Sequence, residues 1–393
     1  MRERRVTRAP GTTDGCAELL ALLVACDSTN PSLVPGGAGE SAVAALVAQR
    51  LEAAGLAVEM WDASSGRQSV LGVLKGTGRG RSLLLCSHLD VVGADRELFK
   101  PVVRSGRMYG RGTSDMKGGL AASILAACEL ARDRQGLAGD LLVAGVIDEE
   151  WLSAGAVDLI ARLAAADVEV DGAILPEATG LSLVVEHGGF AWWKVVSIGV
   201  EAAGDDYERG VDAIALMGGA LSGLLELDAE LAGRPAKPYG RPCIHASTIA
   251  GGTQLSAYPG SCEVGIERCL IPGETVAQAR AELEEVLARA AAREPRLNAQ
   301  LQQIVGREAM ALERSEPVVT ELASVAARLL GAPREVRGDM GWMDSGILVE
   351  AGIPCVAFGP TGGGEHTSGE WVDVSSVSAC ARVLADTARS FCG

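Results

Sequence analysis

The sequence predicts an α/β fold: a mixed, largely parallel sheet flanked by helices, with a smaller α+β unit of ferredoxin-like type inserted in it. Three observations carry this reading. Continuous apolar runs in SLLLCSHLD, DLLVAGVIDEE and GAILPEA alternate with helical segments, as in a sheet whose parallel strands are joined by crossover helices. The pattern changes character near residue 189 and resumes near 307. A chain of 393 residues also exceeds one typical domain.

Residues 1–15 read as a flexible tail. A helix is expected over CAELLALLVAC, ending at the turn DSTNPS, and another over ESAVAALVAQRLEAAG, where Gly55 supplies the stop. VEMWDA and SVLGVLKG alternate as strands do. The run SLLLCSHLD turns polar only at its end, as a strand buried on both faces does. Helices are expected over GGLAASILAACELARD and AGAVDLIARLAAA. In the inserted part, FAWWKVVSIGVEA, IHASTIAGGTQ and GSCEVGIERCLI read as strands, while VDAIALMGGALSGLLELDAELA and ETVAQARAELEEVLARAAA read as helices. Two helices on a small sheet suggest the ferredoxin-like arrangement. After 307, PVVTELASVAARLLG is a helix, GIPCVAFGP a strand and SSVSACARVLADTARSFC the last helix. The expected boundaries are 16–188 and 307–393 for the larger domain and 189–306 for the insertion.

Composition excludes several classes. The net charge of −16 argues against nucleic acid or an anionic membrane as partner. No stretch approaches the ~20 apolar residues of a membrane span, and MRERRVTRAPGTTDG lacks the apolar core of a secretory signal. The ten cysteines are scattered without a CxxC pair and read as reduced thiols, so a cytoplasmic location is expected.

The chemistry concentrates in five residues: His88, Asp115, Glu150, Glu177 and His366. Each stands at or just past the end of an apolar run, where α/β sheets carry their sites. Two imidazoles and three carboxylates suit zinc or cobalt, and one carboxylate can bridge two ions. The adjacent acids Glu149 and Glu150 after a buried strand need a cation or proton between them. The glycines of GRGTSDMKGG permit tight turns around Asp115.

These motifs together resemble the di-zinc amidohydrolase family of aminoacylase, acetylornithine deacetylase, succinyl-diaminopimelate desuccinylase and carboxypeptidase G. HLDVV, GRGTSDMKGG, DEE, PEATG, GIPCVAFGP and EHTSGEW fall at the family's relative positions, and the likeness runs from about residue 16 to the C-terminus. The resemblance implies two divalent ions, most simply zinc, with cobalt or manganese as alternatives. One would take His88, Asp115 and Glu177, the other Asp115, Glu150 and His366, with Asp115 bridging. It implies Glu149 as general base and acid, Asp90 as acceptor of the other His88 imidazole N–H, and a cis peptide after Asp115. The inserted unit would be a lid and dimerisation domain, giving a homodimer. The substrate would be a small N-acyl amino acid or dipeptide-like amide, and the Glu177 ligand favours a deacylase.

The sequence departs from the family in that lid. Ala203 stands where the family's lid carries a His that donates to the oxyanion, which leaves open a repurposed reaction on an unusual amide, acyl transfer or cyclisation, or a non-catalytic binding role. Ser256 replaces a lid Asn. Arg268 is the candidate to grip a substrate carboxylate, with a surface pairing to Glu as its alternative. His187 is a candidate substrate contact or hinge, and His245 is expected to pack within the lid.

Overall fold

The computed structural model describes residues 13–132 and 136–393; residues 1–12 of the expected tail lie outside them. Two compact units emerge. The larger contains the described residues up to Val185, Leu312–Arg337 and Met343–Gly393; the smaller contains Glu186–Ala311 and Gly338–Trp342.

In the larger unit, helices α1 (Thr13–Ala25) and α2 (Ser41–Ala54) precede strands β1 (Ala57–Ser64), β2 (Arg67–Leu74) and β3 (Leu83–His88). Gly55 ends α2 in the left-handed conformation, φ 95°, as its place in the sequence predicts. Helix α3 (Gly118–Leu130), β4 (Leu141–Val146), α4 (Ala154–Ala165), β5 (Gly172–Leu175) and β6 (Leu183–His187) follow. The sheet runs β1-β2-β4-β3-β5-β11-β6, where β11 is Cys355–Ala357. Its centre is parallel: β3 pairs with β4 and β5, and β5 with β11. The β1–β2, β2–β4 and β11–β6 pairs are antiparallel. Every residue of β3, β4 and β5 is buried, which is why their sequences are continuous apolar runs.

Helix α3 is buried around almost its whole circumference and packs in one core with residues of α1, α2, α7 (Pro317–Leu330) and α8 (Val374–Phe391). Its start lies against the loop after β5. A Cβ on Gly119 would stand 1.7 Å from the Pro176 carbonyl oxygen, and one on Gly359 would stand 2.1 Å from that of Glu177. Only glycine permits these two approaches, and both press on the backbone that carries Glu177.

The smaller unit runs β7 (Gly189–Ile198), α5 (Ala213–Ala232), β8 (Cys243–Gly251), β9 (Ser261–Leu270), α6 (Val276–Arg293) and β10 (Asn298–Arg307). The sheet order is β8-β9-β7-β10 with every pair antiparallel, the ferredoxin-like arrangement. Trp193, Val195, Val264 and Ile266 on one face of the sheet pack against Leu224 and Leu227 of α5 and Leu283 and Val286 of α6. The Asp212 carboxylate accepts from Ile214 N and Ala215 N to cap α5, and Thr275 with Gln278 forms a capping box on α6.

Two features escape the sequence pattern. Strand β10, NAQLQQIVGR, lies at the sheet edge and shows no clean apolar alternation. Residues 338–342 join the smaller unit through tertiary contacts: Gly188 N donates to Asp339 O at 3.1 Å, and the Trp342 ring meets Phe190 edge-on at 5.6 Å. Among the described residues, no helix is long and apolar enough to cross a membrane.

The Gly119 contact yields a prediction. Gly119→Ala forces α3 away from Pro176 and destabilises the chain by about 1–3 kcal/mol, the usual cost of overpacking. Urea denaturation measures it; an unchanged midpoint would contradict the close approach.

Candidate metal centre

The parallel strands deliver most of the site. His88 ends β3, the acidic pair Glu149 and Glu150 follows β4, and Glu177 follows β5. Because β3 lies between β4 and β5, the imidazole stands between the two acidic loops. Asp115 comes from the tight turn Thr113–Lys117 that leads into α3; Asp115 and Met116 leave helical geometry there, and the peptide between them is cis. His366, at φ 60°, sits in the loop between the short strands Gly362–Gly363 and Trp371–Asp373.

The donor atoms fall into two groups, His88–Asp115–Glu177 and Asp115–Glu150–His366, each with its atoms within 4.8 Å of one another. Asp115 belongs to both. Its Oδ1 is 2.9 Å from His88 Nε2, and its Oδ2 is 3.1 Å from His366 Nε2. His88 Nε2 is also 3.5 Å from Glu177 Oε1, and His366 Nε2 is 3.1 Å from Glu150 Oε2. A carboxylate that turns one oxygen to each group is what a bridging ligand requires. The mixed nitrogen and oxygen donors fit two divalent cations.

Electrostatics supports the same reading. Burial, with the Asp115 charge added, pushes the Glu150 carboxyl up to about 7. Burial and the charges of Asp115 and Glu150 push Glu177 to about 8 against the pull of His88. Glu149 is raised well above the usual carboxylate value, first by burial and then, against the pull of His88, by Asp344, Glu150 and Glu177. Asp115 is held below its usual value despite burial by hydrogen bonds from His366 and His88. Carboxylates crowded in this way are held ionised by cations. Glu149 itself stays outside both donor groups, its Oε2 4.0 Å from His88 Nε2.

Asp90 departs from its expected role. His88 Nδ1 lies 3.0 Å from the Asp90 main-chain oxygen, whereas the Asp90 carboxylate is 3.7 Å away. That carboxylate accepts instead from Asn30 Nδ2 at 2.8 Å and from the backbone N–H groups of Glu149 and Glu150 at 3.1 Å each. It thus positions the acidic pair, while its backbone orients the imidazole. Asn30 also donates to Asp148 Oδ1 at 3.1 Å, and Arg67 donates to the same oxygen at 2.7 Å while pairing with Glu40.

Glu370 is a second support. Fully buried, its carboxylate accepts from the backbone N–H groups of Gly112, Ser114 and Asp115 and from Arg111. It clamps the turn that presents Asp115. No local sequence pattern marks Asn30 or Arg67; the one signal for Glu370 is its place in EHTSGEW, four residues past His366.

The predicted substrate residues fare differently. Arg268 is 1% exposed, and its guanidinium is engaged by Glu274 at 3.0 Å, Glu282 at 3.2 Å and the Cys269 carbonyl. Two carboxylates already occupy the group expected to grip a substrate, so Arg268 is a structural link. His187 is wholly buried, with Nδ1 2.7 Å from Gly188 O and its ring edge-on to Trp342, and burial lowers it to about 4. It packs as a neutral ring and is no exposed contact. His245, expected to pack, is instead half exposed and 3.4 Å from Glu267. Ser256 lies in an exposed turn whose carbonyl accepts from Gly204 N, and the neighbouring Ala203 is exposed opposite Ala257.

Residues 84–390 match the sequence profile of Peptidase family M20/M25/M40. The chain belongs to this family. It is 27% identical over 382 residues to an N-formyl-4-amino-5-aminomethyl-2-methylpyrimidine deformylase of Bacillus subtilis, covering 88% of each chain. It is 28% identical over 389 residues to an acetylornithine deacetylase of Proteus mirabilis, covering 95% of this chain and 96% of that one. Among solved structures, an M20 family metallo-carboxypeptidase from Sulfolobus solfataricus superposes with a TM-score of 0.78 at 16% identity, covering 96% of this chain and 99% of that one. A dinuclear metal-binding M20 peptidase from Bacillus subtilis gives 0.71 at 17% identity, with 97% and 98% covered. The chain is therefore a metal-dependent hydrolase of amide bonds.

The Glu370 clamp can be tested directly. Glu370→Ala leaves Arg111 buried without its carboxylate and should cost about 3–5 kcal/mol. Loss of the support under Asp115 should weaken metal binding by about 10–100-fold. Chemical denaturation and metal titration read the two effects; unchanged affinity would show that the turn holds Asp115 unaided.

Proposed function

We propose that this chain is a deacylase that removes a short acyl group, formyl or acetyl, from a small amine or amino acid. The carrying observation is the pair of donor groups sharing Asp115, with the half-buried Glu149 beside them and in neither. The near-full-length likeness to a deformylase and an acetylornithine deacetylase supports the deacylase reading over a peptidase one.

His88, Asp115 and Glu177 would hold one ion, and Asp115, Glu150 and His366 the other. Zinc suits this donor mix, with cobalt and manganese as alternatives. Bound divalent ions supply Lewis acidity at the scissile carbonyl and lower the pKa of water. Glu149 takes the proton of the attacking water on its carboxylate and returns it to the nitrogen of the leaving amine. Its raised proton affinity suits a group that must accept a proton and then give it up near neutral pH. Asp90 keeps Glu149 in place through its bond to the Glu149 backbone N–H. The smaller unit serves as lid and dimerisation domain, and the working form is a homodimer.

The base assignment is tested by Glu149→Gln. Turnover of N-formyl and N-acetyl amines should fall by at least about 10²–10⁴-fold, with metal content by elemental analysis unchanged. A Gln variant that turns over normally removes Glu149 as the base. The lid is tested separately. Ala203 offers no hydrogen-bond donor, and a missing oxyanion donor costs about 10²–10³ in rate. Ala203→His, at an exposed position, should raise turnover of simple N-acetyl amino acids. High wild-type turnover unchanged by that substitution would show that no donor is missing there.

A further inference from the structure

The smaller unit carries a pair of thiols that belongs to none of the metal-centre donor groups. Cys243 on β8 and Cys269 on β9 are direct partners in the antiparallel register. Directly opposed residues of such a pair have Cα atoms about 4.5–5.5 Å apart, inside the roughly 4.4–6.8 Å that a disulfide spans. The neighbouring Ile244, Arg268 and Leu270 are buried, whereas both cysteines are half-buried on the opposite face of the sheet. That face carries no helix core, so the thiols meet each other at a surface that solvent reaches.

The two thiols stand opposite each other in the register, in different surroundings. The Cys269 thiol opposite it lowers Cys243 below the usual thiol value against partial burial, and Arg241 and His245, each two residues from it, add positive charge. Asp228, which pairs with Arg241 at 3.1 Å, opposes this in part. Cys269 is raised by the Cys243 thiol and by burial. Its backbone is fixed: the Cys269 carbonyl accepts from Arg268, which Glu274 and Glu282 brace. Cys243, flanked by Arg241 and His245, is placed as the nucleophile, and Cys269, its backbone held by Arg268, stands opposite it.

We propose that Cys243 and Cys269 form a redox-active dithiol that reacts with low-molecular-weight disulfides and closes into a cross-strand disulfide. The Cys243 thiolate attacks one sulfur of the small disulfide, making a mixed disulfide and expelling one thiolate. Cys269 gives up its proton and attacks the Cys243 sulfur, expelling the second. The dithiol loses two electrons and two protons, and the small disulfide becomes two thiols. The closed bond ties edge strand β8 to β9. Low-pKa cysteines beside cationic groups with a resolving partner are the ones that react in this way.

The test uses the full chain and oxidised glutathione at neutral pH, followed by peptide mapping without reductant. The wild type should yield a linked Cys243–Cys269 peptide that dithiothreitol reverses. Cys269→Ser should stop the reaction at a glutathione adduct on Cys243, and Cys243→Ser should leave Cys269 unmodified. In the reduced wild type, Cys243 should be alkylated about tenfold faster at pH 7 than the half-buried Cys26 and Cys128. A stable glutathione adduct on wild-type Cys243, no linked peptide, or equal alkylation of the three thiols would each overturn the proposal. Should a Ser variant misfold, the wild-type linkage and alkylation ratio decide alone.

Discussion

Mutual repulsion among crowded, half-buried carboxylates is the constraint on which this molecule is built. Asp115, from the turn before α3, and Glu149, Glu150 and Glu177, past the ends of central strands, crowd around His88, where desolvation and each other's charge press the glutamates towards protonation. Two imidazoles alone cannot balance that charge. Cations placed where the donor groups converge would, and the same crowding leaves Glu149 with a raised affinity for a proton. The electrostatic cost of assembling the site and its chemical capacity have one source.

A cluster of this kind holds its geometry only if the backbone behind it is fixed. The chain does this with further carboxylates that satisfy backbone N–H groups. Asp90 holds the acidic pair and Glu370 holds the Asp115 turn. Each is itself balanced, Asp90 by Asn30 and Glu370 by Arg111. Gly119 and Gly359 complete the arrangement, since their lack of a side chain lets backbone close around Pro176 and Glu177. Support for the site therefore comes from helix starts, strand ends and loops far apart in sequence.

The smaller unit shows why residue type alone misleads about role. Arg268 has the chemistry to hold a substrate carboxylate, yet Glu274 and Glu282 already hold it. His187 is a possible ligand by type and a packed neutral ring by environment. Cys243 and Cys269 are unremarkable in a sequence of scattered cysteines, and become a pair only through the register of β8 and β9.

By itself, the sequence determined the α/β class, the order of the main helices and strands, and the convergence of His88, Asp115, Glu150, Glu177 and His366 as a candidate metal site. These are legible because burial writes a local pattern: apolar runs for buried strands, and ionisable residues where those runs end. Strand β10 and the 338–342 segment left no such pattern, because an exposed edge and a short loop need no apolar periodicity. Only the tertiary structure decided that Asp90 turns its carboxylate to the acidic pair, that Glu370 and Asn30 support the site, and that Arg268 is already engaged. A hydrogen bond or ion pair depends on which group stands opposite in space, and residues as far as 259 positions apart supply those partners here.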